Sequence, residues 1–304
     1  MHKKGYFLIS MYFIVSTAAL HAENDVLNFF GKWWEFNKTN IRACLPQQSQ
    51  NVTHKNVSVA LDDLAGKRPA ALDDVVDFFQ HRAEREAQGI EMPRGVLLCG
   101  PAGTGKTSFA KALARDMGMS YVEASASDFE EIFVGLGASR IRALFEQARK
   151  QQPCVIVIDE IDALGNRDSF YGNINRQLID ALLAEMDGIH SGGDILVIGT
   201  TNEVNLVDKA LRRPGRFDYV IEIPLPDEES RTKIIEYYLQ KKQYDPTINV
   251  AIIAQRTRGF SGAELKELIK RAAIACVRNR HALITQHDVE DGLQQLLKEK
   301  SSRL

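Results

Sequence analysis

The sequence predicts an α/β protein in which a parallel β-sheet is covered by helices on both faces and followed by a small all-helical domain. Segments with helical spacing, notably 139–151 and 175–186, separate short apolar runs of the kind found in buried strands. After Pro226 the apolar runs stop and the pattern becomes helical. Strand and helix alternating in this way indicate a doubly covered parallel sheet. The predicted strands lie at 96–99, 155–158, 195–199 and 219–223.

The composition is that of a globular protein able to bury a sizeable core. The 304 residues are 44% hydrophobic and 26% charged, and the formal net charge is −2. A chain this close to neutrality offers no support for a polyanionic partner, so we expect no nucleic acid to bind. The cysteines lack the spacing of a metal site and no His-Glu-x-x-His motif occurs, so we expect no peptidase site in this sequence.

Residues 1–22 form an N-terminal segment of their own. An apolar run at 6–20 follows Lys3 and Lys4, which suits either a cleaved signal peptide or a short membrane anchor. A buried core helix is the third alternative, and the wholly apolar character of the run disfavours it. The positive-inside rule places the two lysines in the cytoplasm and the residues after Leu20 across the membrane.

Residues 23–56 are predicted to be a linker region, aromatic at first and polar towards the end. The aromatic cluster at 29–36 suits either a membrane interface or a small packed helix. The polar stretch at 47–56 is typical of a linker.

Two folded parts are expected after the linker: an α/β part at 57–226 and a helical part at 227–304. The helical part is predicted to contain four helices. Ser261 and Thr285 have side chains suited to N-capping two of them.

A phosphate-binding loop follows the first apolar run. Residues 100–107 fit the pattern G-x-x-x-x-G-K-[ST] and stand between a predicted strand and a predicted helix. The glycines let backbone N–H groups surround phosphates, and the helix N-terminus adds partial positive charge. We expect Lys106 to neutralise the β- and γ-phosphates of ATP and the Thr107 hydroxyl to bind Mg²⁺. The predicted nucleotide-binding residues here are Pro101, Ala102, Gly103, Thr104, Gly105, Lys106 and Thr107.

Two carboxylates follow the second apolar run and an amide follows the third. Ligands of open α/β sheets bind at the carboxyl ends of strands, where Asp159, Glu160 and Asn202 are all expected to lie. Asp159 is predicted to hold Mg²⁺ and Glu160 to polarise the attacking water as a general base. Asn202 could hydrogen-bond both that water and the γ-phosphate.

Three arginines surround a Pro-Gly turn at 212–218. One interpretation is a solvated basic loop. The other is that Arg213 and Arg216 reach the nucleotide of a neighbouring subunit as arginine fingers, which supply on the order of 10³–10⁵ in rate. On the second interpretation assembly is part of the active site.

The region from 57 to 300 resembles the ATPase module of the FtsH-type membrane-anchored AAA+ proteases. Beyond the phosphate loop, the resemblance rests on further segments at 133–140, 185–188, 213–218 and 259–263. It implies a ring, usually a hexamer, that uses ATP and Mg²⁺ to pull polypeptide through a central pore.

The resemblance also implies roles for individual residues. Arg213 and Arg216 match the two finger positions, and residues 187–189 match an intersubunit signalling segment in which Ile189 replaces the usual phenylalanine. The other matches concern the pore loop and the nucleotide. Phe133, Val134 and Gly135 match the pore loop that grips the threaded chain, Leu64, Ala65 and Gly66 match the segment that cradles adenine, and Gly262 and Ala263 close the site from the helical lid.

Three departures from the family pattern limit what the resemblance implies. Ala102 replaces the commoner proline, which the backbone role of the loop tolerates. The glycine-rich segment at 165–175 is abbreviated, so a second pore loop is expected to be altered. Only one apolar N-terminal run is found where the family has two membrane helices.

We therefore expect an ATP-hydrolysing ring that unfolds, translocates or remodels proteins, with coupling to a separate protease left open. The alternative is an ATP-gated regulatory or scaffold protein that does no mechanical work. The expected location is the membrane, through the N-terminal segment, with the ATPase in the cytoplasm. Because the positive-inside rule conflicts with that placement, a secreted protein acting in another cell's cytosol remains the alternative.

Overall fold

The computed structural model describes residues 69–90, 92–129, 136–165, 172–189 and 194–302. These residues belong to one unit, Ser49–Leu304. The predicted N-terminal segment and linker region lie outside the described residues.

Nine α-helices and five β-strands occur in the described part of the chain. In chain order they are α1 Ala70–Gln80, α2 Arg82–Ala87, β1 Gly95–Cys99, α3 Lys106–Asp116, β2 Ser120–Ser125, α4 Leu136–Lys150, β3 Cys154–Asp159, α5 Gly172–Asp187, β4 Ile195–Thr201, β5 Tyr219–Glu222, α6 Glu228–Gln240, α7 Val250–Arg256, α8 Gly262–Arg278 and α9 Gln286–Ser302.

The strands form one parallel sheet in the order β2-β3-β4-β1-β5. The predicted parallel α/β fold is confirmed, but the predicted set of four strands was incomplete because it omitted β2. That strand contains Ser120, Glu123 and Ser125, so it has no continuous apolar run. Among the described strands β2 is the outermost and pairs only with β3, which allows its polar side chains to remain partly exposed.

Both faces of the sheet are covered by helices, as β3 illustrates. Ile156 and Ile158 point into a core formed with α4 and α5, while Val155 and Val157 point into a second core formed with α1 and α3. All four side chains are fully buried. Two buried faces explain why this strand is apolar at successive positions and does not alternate.

Four helices follow β5, as predicted, and they pack around a third apolar core. Ser261 caps α8 in a capping box with Glu264. Thr285 caps α9, since its hydroxyl accepts the Asp288 N–H at 3.3 Å. The change from strands to helices falls between β5 and α6, which agrees with a boundary near 226, although the predicted domain limits remain a proposal. Within the described residues no helix is long and apolar enough to cross a membrane.

Candidate nucleotide site

The ends of three neighbouring strands lie side by side at one edge of the sheet. Cys99 of β1 is in register with Thr201 of β4, and Ile158 of β3 is in register with Gly199 of β4. The phosphate loop after β1, the carboxylates at the end of β3 and the amide after β4 are therefore neighbours. The strand order brings these segments together although they are far apart in the sequence.

The loop at 100–107 depends on glycines that adopt left-handed backbone conformations. Gly100, Gly103 and Gly105 have φ values of 137°, 76° and 93°. A Cβ on Gly100 would overlap the carbonyl oxygen of Ile223, and a Cβ on Gly103 would lie 2.9 Å from the Ser261 Oγ. The loop can thus turn tightly and present its backbone to a ligand.

Lys106 lies at the start of α3 with its ammonium group turned back into the loop. Its Nζ donates to the carbonyl oxygens of Gly100 and Pro101, both at 2.9 Å, and to the Oδ1 of Asn202 at 2.7 Å. Burial lowers the pKa of the Lys106 ammonium, and the nearby carboxylates of Asp159 and Asp162 oppose that shift. The predicted phosphate-binding cation and the predicted water-orienting amide are in direct contact.

Thr107 and Asp159 form an oxygen-rich cluster next to the loop. The Thr107 Oγ1 lies 3.0 Å from each carboxylate oxygen of Asp159. Thr200 of β4 donates its hydroxyl proton to the same carboxylate. Hydroxyl and carboxylate oxygens are the ligands that Mg²⁺ prefers, so the residues present fit this ion.

Glu160 has an unusual backbone conformation for a residue with a side chain. Its φ of 54° and ψ of 48° are left-handed, and its N–H donates to the Thr200 Oγ1 at 3.2 Å. The side chain is exposed at the carboxyl edge of the sheet. Left-handed conformations of such residues cost free energy and concentrate at functional sites, which suits the predicted base.

The first turn of α8 reaches the phosphate loop from the helical side. The Ala263 N–H donates to the Gly103 carbonyl at 3.0 Å. A Cβ on Gly262 would lie 3.4 Å from the same carbonyl oxygen. The two lid residues predicted from the resemblance therefore lie against the loop.

Arg213 and Arg216 lie at the other end of the sheet. They belong to the turn at 212–218, which we call the arginine turn. The Asp218 N–H donates to the Gly95 carbonyl at 2.9 Å, which places the arginine turn beside the first residue of β1. The phosphate loop follows the last residue of that strand, four steps of ~3.3 Å away, or ~13 Å. The structure does not bring these arginines to the nucleotide site of their own chain.

Arg216 is held by its own chain in this arrangement. Its Nε and one terminal nitrogen donate to the two carboxylate oxygens of Asp187 at 3.0 and 2.9 Å, and another nitrogen donates to the Ala210 carbonyl at 2.8 Å. A hydrogen bond from Arg216 lowers the pKa of the Asp187 carboxyl. Arg213 is exposed, and its side chain makes no hydrogen bond or ion pair with the described residues, although its backbone carbonyl accepts the Arg216 N–H at 3.2 Å.

Two predicted sites lie outside the described residues. They are the adenine segment of Leu64, Ala65 and Gly66 and the pore loop of Phe133, Val134 and Gly135. Their roles remain predictions from the resemblance.

Three contacts in these sites were not predicted from the sequence, although Asp187 lies in the segment at 187–189 that matches the intersubunit signalling segment. Thr200 contacts both Asp159 and Glu160, and Asp187 binds Arg216. The Asp162 carboxylate opposes the lowering of the Lys106 pKa, and one of its oxygens is buried without a hydrogen-bond partner among the described residues. A hydroxyl residue at the end of a strand is the only one of the three with a usable local signal. The other two depend on contacts between distant segments.

Comparison with known families matches two parts of the chain. Residues 96–225 match the ATPase family associated with various cellular activities, and residues 247–291 match the AAA+ lid domain. The first match contains the phosphate loop, both carboxylates and the arginine turn. The second contains the start of α8 that lies against the loop.

Curated relatives match over most of the chain. The ATP-dependent zinc metalloprotease FtsH 3 of Symbiobacterium thermophilum is 42% identical over 262 residues, which are 83% of this chain and 42% of that protein. The chloroplastic FTSH 2 of Oryza sativa is 41% identical over 80% of this chain and 37% of its own length. The human YME1L1 is 40% identical over 83% of this chain and 32% of its own length. This chain spans less than half of the length of each of these relatives.

Proposed function

This chain belongs to the AAA family of ATPases, and from that premise we propose that it is an ATP-driven protein unfoldase or remodelling subunit whose active site is completed by a neighbouring subunit. The observation that carries the proposal is the position of its functional groups. The phosphate loop and the acidic residues meet at one end of β1, while the arginine turn lies at the other. One chain therefore contains both halves of a site but does not join them.

The groups within one chain account for binding and water activation. The Lys106 ammonium donates to two loop carbonyls in this structure. A bound γ-phosphate would replace these carbonyls as the acceptor. Thr107 and Asp159 would hold Mg²⁺, which neutralises phosphate charge when bound. Glu160, exposed at the strand end, would take a proton from the attacking water, and Asn202 would orient that water.

The arginines would act on the nucleotide of the next subunit. A guanidinium group can bind phosphate oxygens with two parallel hydrogen bonds and stabilise the charge of the transition state. Arg213 is exposed and available for such a contact, whereas Arg216 would first have to leave Asp187. A heterologous contact of this kind closes into a ring when its rotation permits.

The mechanical part of the proposal concerns polypeptide substrates. A hexameric ring with Phe133 in its pore would grip an unfolded chain without sequence preference, and residues 1–22 would tether the ring to a membrane with the ATPase in the cytoplasm. A separate protease is a proposed partner. The support for these statements is the similarity to longer ATP-dependent proteases and the pore-loop match.

The test is the ATPase rate per subunit as a function of protein concentration. We expect negligible turnover at low concentration and a cooperative rise as the chains assemble, with the rate lost in an Arg213→Ala variant that still assembles. A protein that assembles with ATP but never hydrolyses it would instead be an ATP-gated scaffold. Full turnover by a monomer would overturn the shared site.

The threading part has its own test. Unfolding of a model substrate should require Phe133, so Phe133→Ala should keep ATP turnover and lose unfolding. Remodelling that survives in Phe133→Ala but stops in Glu160→Gln would refute threading and leave the ATPase assignment intact.

A further inference from the structure

The last turn of α9 is connected to the phosphate loop through a chain of contacts. The contact nearest the loop is the hydrogen bond from the Ala263 N–H to the Gly103 carbonyl. In a planar trans peptide the carbonyl and the next N–H point in opposite directions. Holding the Gly103 carbonyl towards α8 therefore holds the Thr104 N–H away from α8, which fixes one of the loop's potential phosphate donors.

The first turn of α8 is itself fixed by a capping box. The Ser261 N–H donates to the Glu264 Oε2 at 2.7 Å, and the Glu264 N–H donates to the Ser261 Oγ at 3.3 Å. Ala263 lies between these two residues, so the box sets the direction of its N–H. The Ser261 side chain also lies against Gly103, 2.9 Å from the position of an added Cβ.

Lys300, near the end of α9, holds the remaining oxygen of the same carboxylate. Its Nζ lies 2.8 Å from the Glu264 Oε1 and 4.4 Å from the centre of the Phe260 ring. Burial alone would raise the pKa of Glu264, but hydrogen bonds from Lys300 and from the Ser261 amide lower it. One oxygen of Glu264 thus accepts the Ser261 N–H at the start of α8, and the other binds Lys300 of α9.

A second ion pair fastens the same end of α9 to α8. Arg271 donates to the two carboxylate oxygens of Glu299 at 2.7 and 2.9 Å. A two-point pair of this kind restricts orientation as well as distance. The end of α9 is therefore held in one position relative to the first turn of α8.

We propose that Glu264 and Lys300 are positioning residues that hold the lid against the phosphate loop, so that the C-terminal helix sets the affinity for ATP. Neither residue belongs to the set that would contact the nucleotide. The inference rests on the proposed function, because it takes residues 100–107 as the ATP site. It predicts that ATP affinity responds to whatever displaces the end of α9.

The experiment measures binding of a fluorescent ATP analogue and steady-state ATPase kinetics on the full chain. Glu264→Gln keeps an acceptor for the Ser261 N–H but loses the charge that holds Lys300, and Lys300→Met keeps the apolar stem over Phe260. The matched control is Lys233→Met, which removes an exposed ion pair with Glu229 on α6 and leaves the contact between Glu264 and Lys300 intact. Lys300→Arg tests rescue by a second cation.

We expect Lys300→Met and Glu264→Gln each to raise the Kd of the analogue and the KM for ATP about two- to fivefold, the effect of one partly exposed ion pair. The kcat should change by less than about twofold, because ground-state and transition-state binding are lost together. The double variant should be no worse than either single variant, since both break the same contact. Lys300→Arg should retain wild-type affinity.

Two results would overturn the inference. One is an unchanged Kd in both variants, and the other is a rise that Lys233→Met reproduces, which would indicate general loosening of the lid. A wild-type chain that binds no ATP analogue would instead refute the proposed function, and the inference with it.

Discussion

The phosphate loop and the arginine turn differ in how far one chain can complete them. Around the loop, Lys106 contacts Asn202, Thr107 contacts Asp159, and Ala263 contacts Gly103, all within the same chain. In the arginine turn, Arg213 is exposed and Arg216 is bound to Asp187 at the opposite end of β1 from the loop. The phosphate loop is therefore organised by contacts within one chain, whereas the guanidinium groups of the arginine turn lie away from the phosphate loop of their own chain.

The difference follows from strand direction. In a parallel sheet all carboxyl ends lie at one edge, so residues that follow β1, β3 and β4 meet there without further help. The turn before β5 must lie at the amino edge because β5 runs in the same direction. The arginine turn and the phosphate loop of one chain therefore lie at opposite ends of β1, which is why we propose that they cooperate between chains.

The largest expected effect comes from mixing two inactive variants. Arg213→Ala should lower ATP turnover by about 10³–10⁵ if the arginine acts as a finger, and Lys106→Ala should abolish ATP binding. A mixture should regain activity, because roughly a quarter of randomly formed interfaces would join an intact loop to an intact arginine. The measurement is ATPase rate in mixed and separate samples.

The control is a second mixture, made from a chain that carries both substitutions and a chain that carries neither. That mixture also forms interfaces of every type, so subunit exchange can be verified with the same assay. An absence of recovery despite verified exchange would place the arginines outside the active site, and the basic-loop interpretation would then hold.

The next effect isolates the loop side of the comparison. Glu160→Gln should lower kcat by about 10²–10⁴ while ATP binding is retained, because only the general base is lost. Glu236→Gln, an exposed position on α6, provides the control. Measuring analogue binding beside turnover distinguishes a lost base from a damaged loop, and persistent turnover would require a different base.

Substitutions of two glycines compare how closely the phosphate loop and the arginine turn are packed. Gly100→Ala should destabilise the fold by about 2–5 kcal/mol, from backbone strain and overlap with Ile223. Gly215→Ala in the arginine turn should cost only about 1–2 kcal/mol, because its φ is 85° but none of the described residues has an atom within 4 Å of an added Cβ. Urea unfolding of both variants gives the comparison, and equal losses would contradict it.

The smallest effect concerns the ion pair that holds Arg216. Asp187→Asn should lower the free energy of unfolding by about 0–1 kcal/mol at pH 7, because the Asp187 side chain is 53% exposed. The folded-state pKa of Asp187 is lowered, so the pair's contribution is full above the unfolded-state value of about 3.9. It should disappear as the pH falls through the lowered pKa.

Urea unfolding of the wild type and Asp187→Asn over a pH series provides the measurement. The difference between the two proteins should narrow towards low pH, and a constant difference would show that the carboxyl charge is not involved. ATP binding should be unchanged by Asp187→Asn, since the pair lies away from the loop.

Local sequence patterns were sufficient to predict most elements of the fold and the phosphate-loop half of the site. The continuous apolar run in β3 predicted a doubly buried strand, and Ser261 predicted the start of α8. The spacing of Gly100, Lys106 and Thr107 predicted the phosphate loop between strand and helix. By contrast, β2 was missed because an edge strand tolerates polar residues and therefore lacks the apolar run.

The sequence by itself determined the parts of this protein that depend on neighbouring residues: helices from periodicity, buried strands from apolar runs, the loop from glycine spacing. Only the tertiary structure decided that Lys106 meets Asn202, 96 positions away, and that Lys300 reaches Glu264 beside the loop. It also decided that Arg216 pairs with Asp187, at the end of β1 opposite the loop. The reason is physical: such contacts depend on strand order and helix packing, and no local pattern of residues specifies either of them.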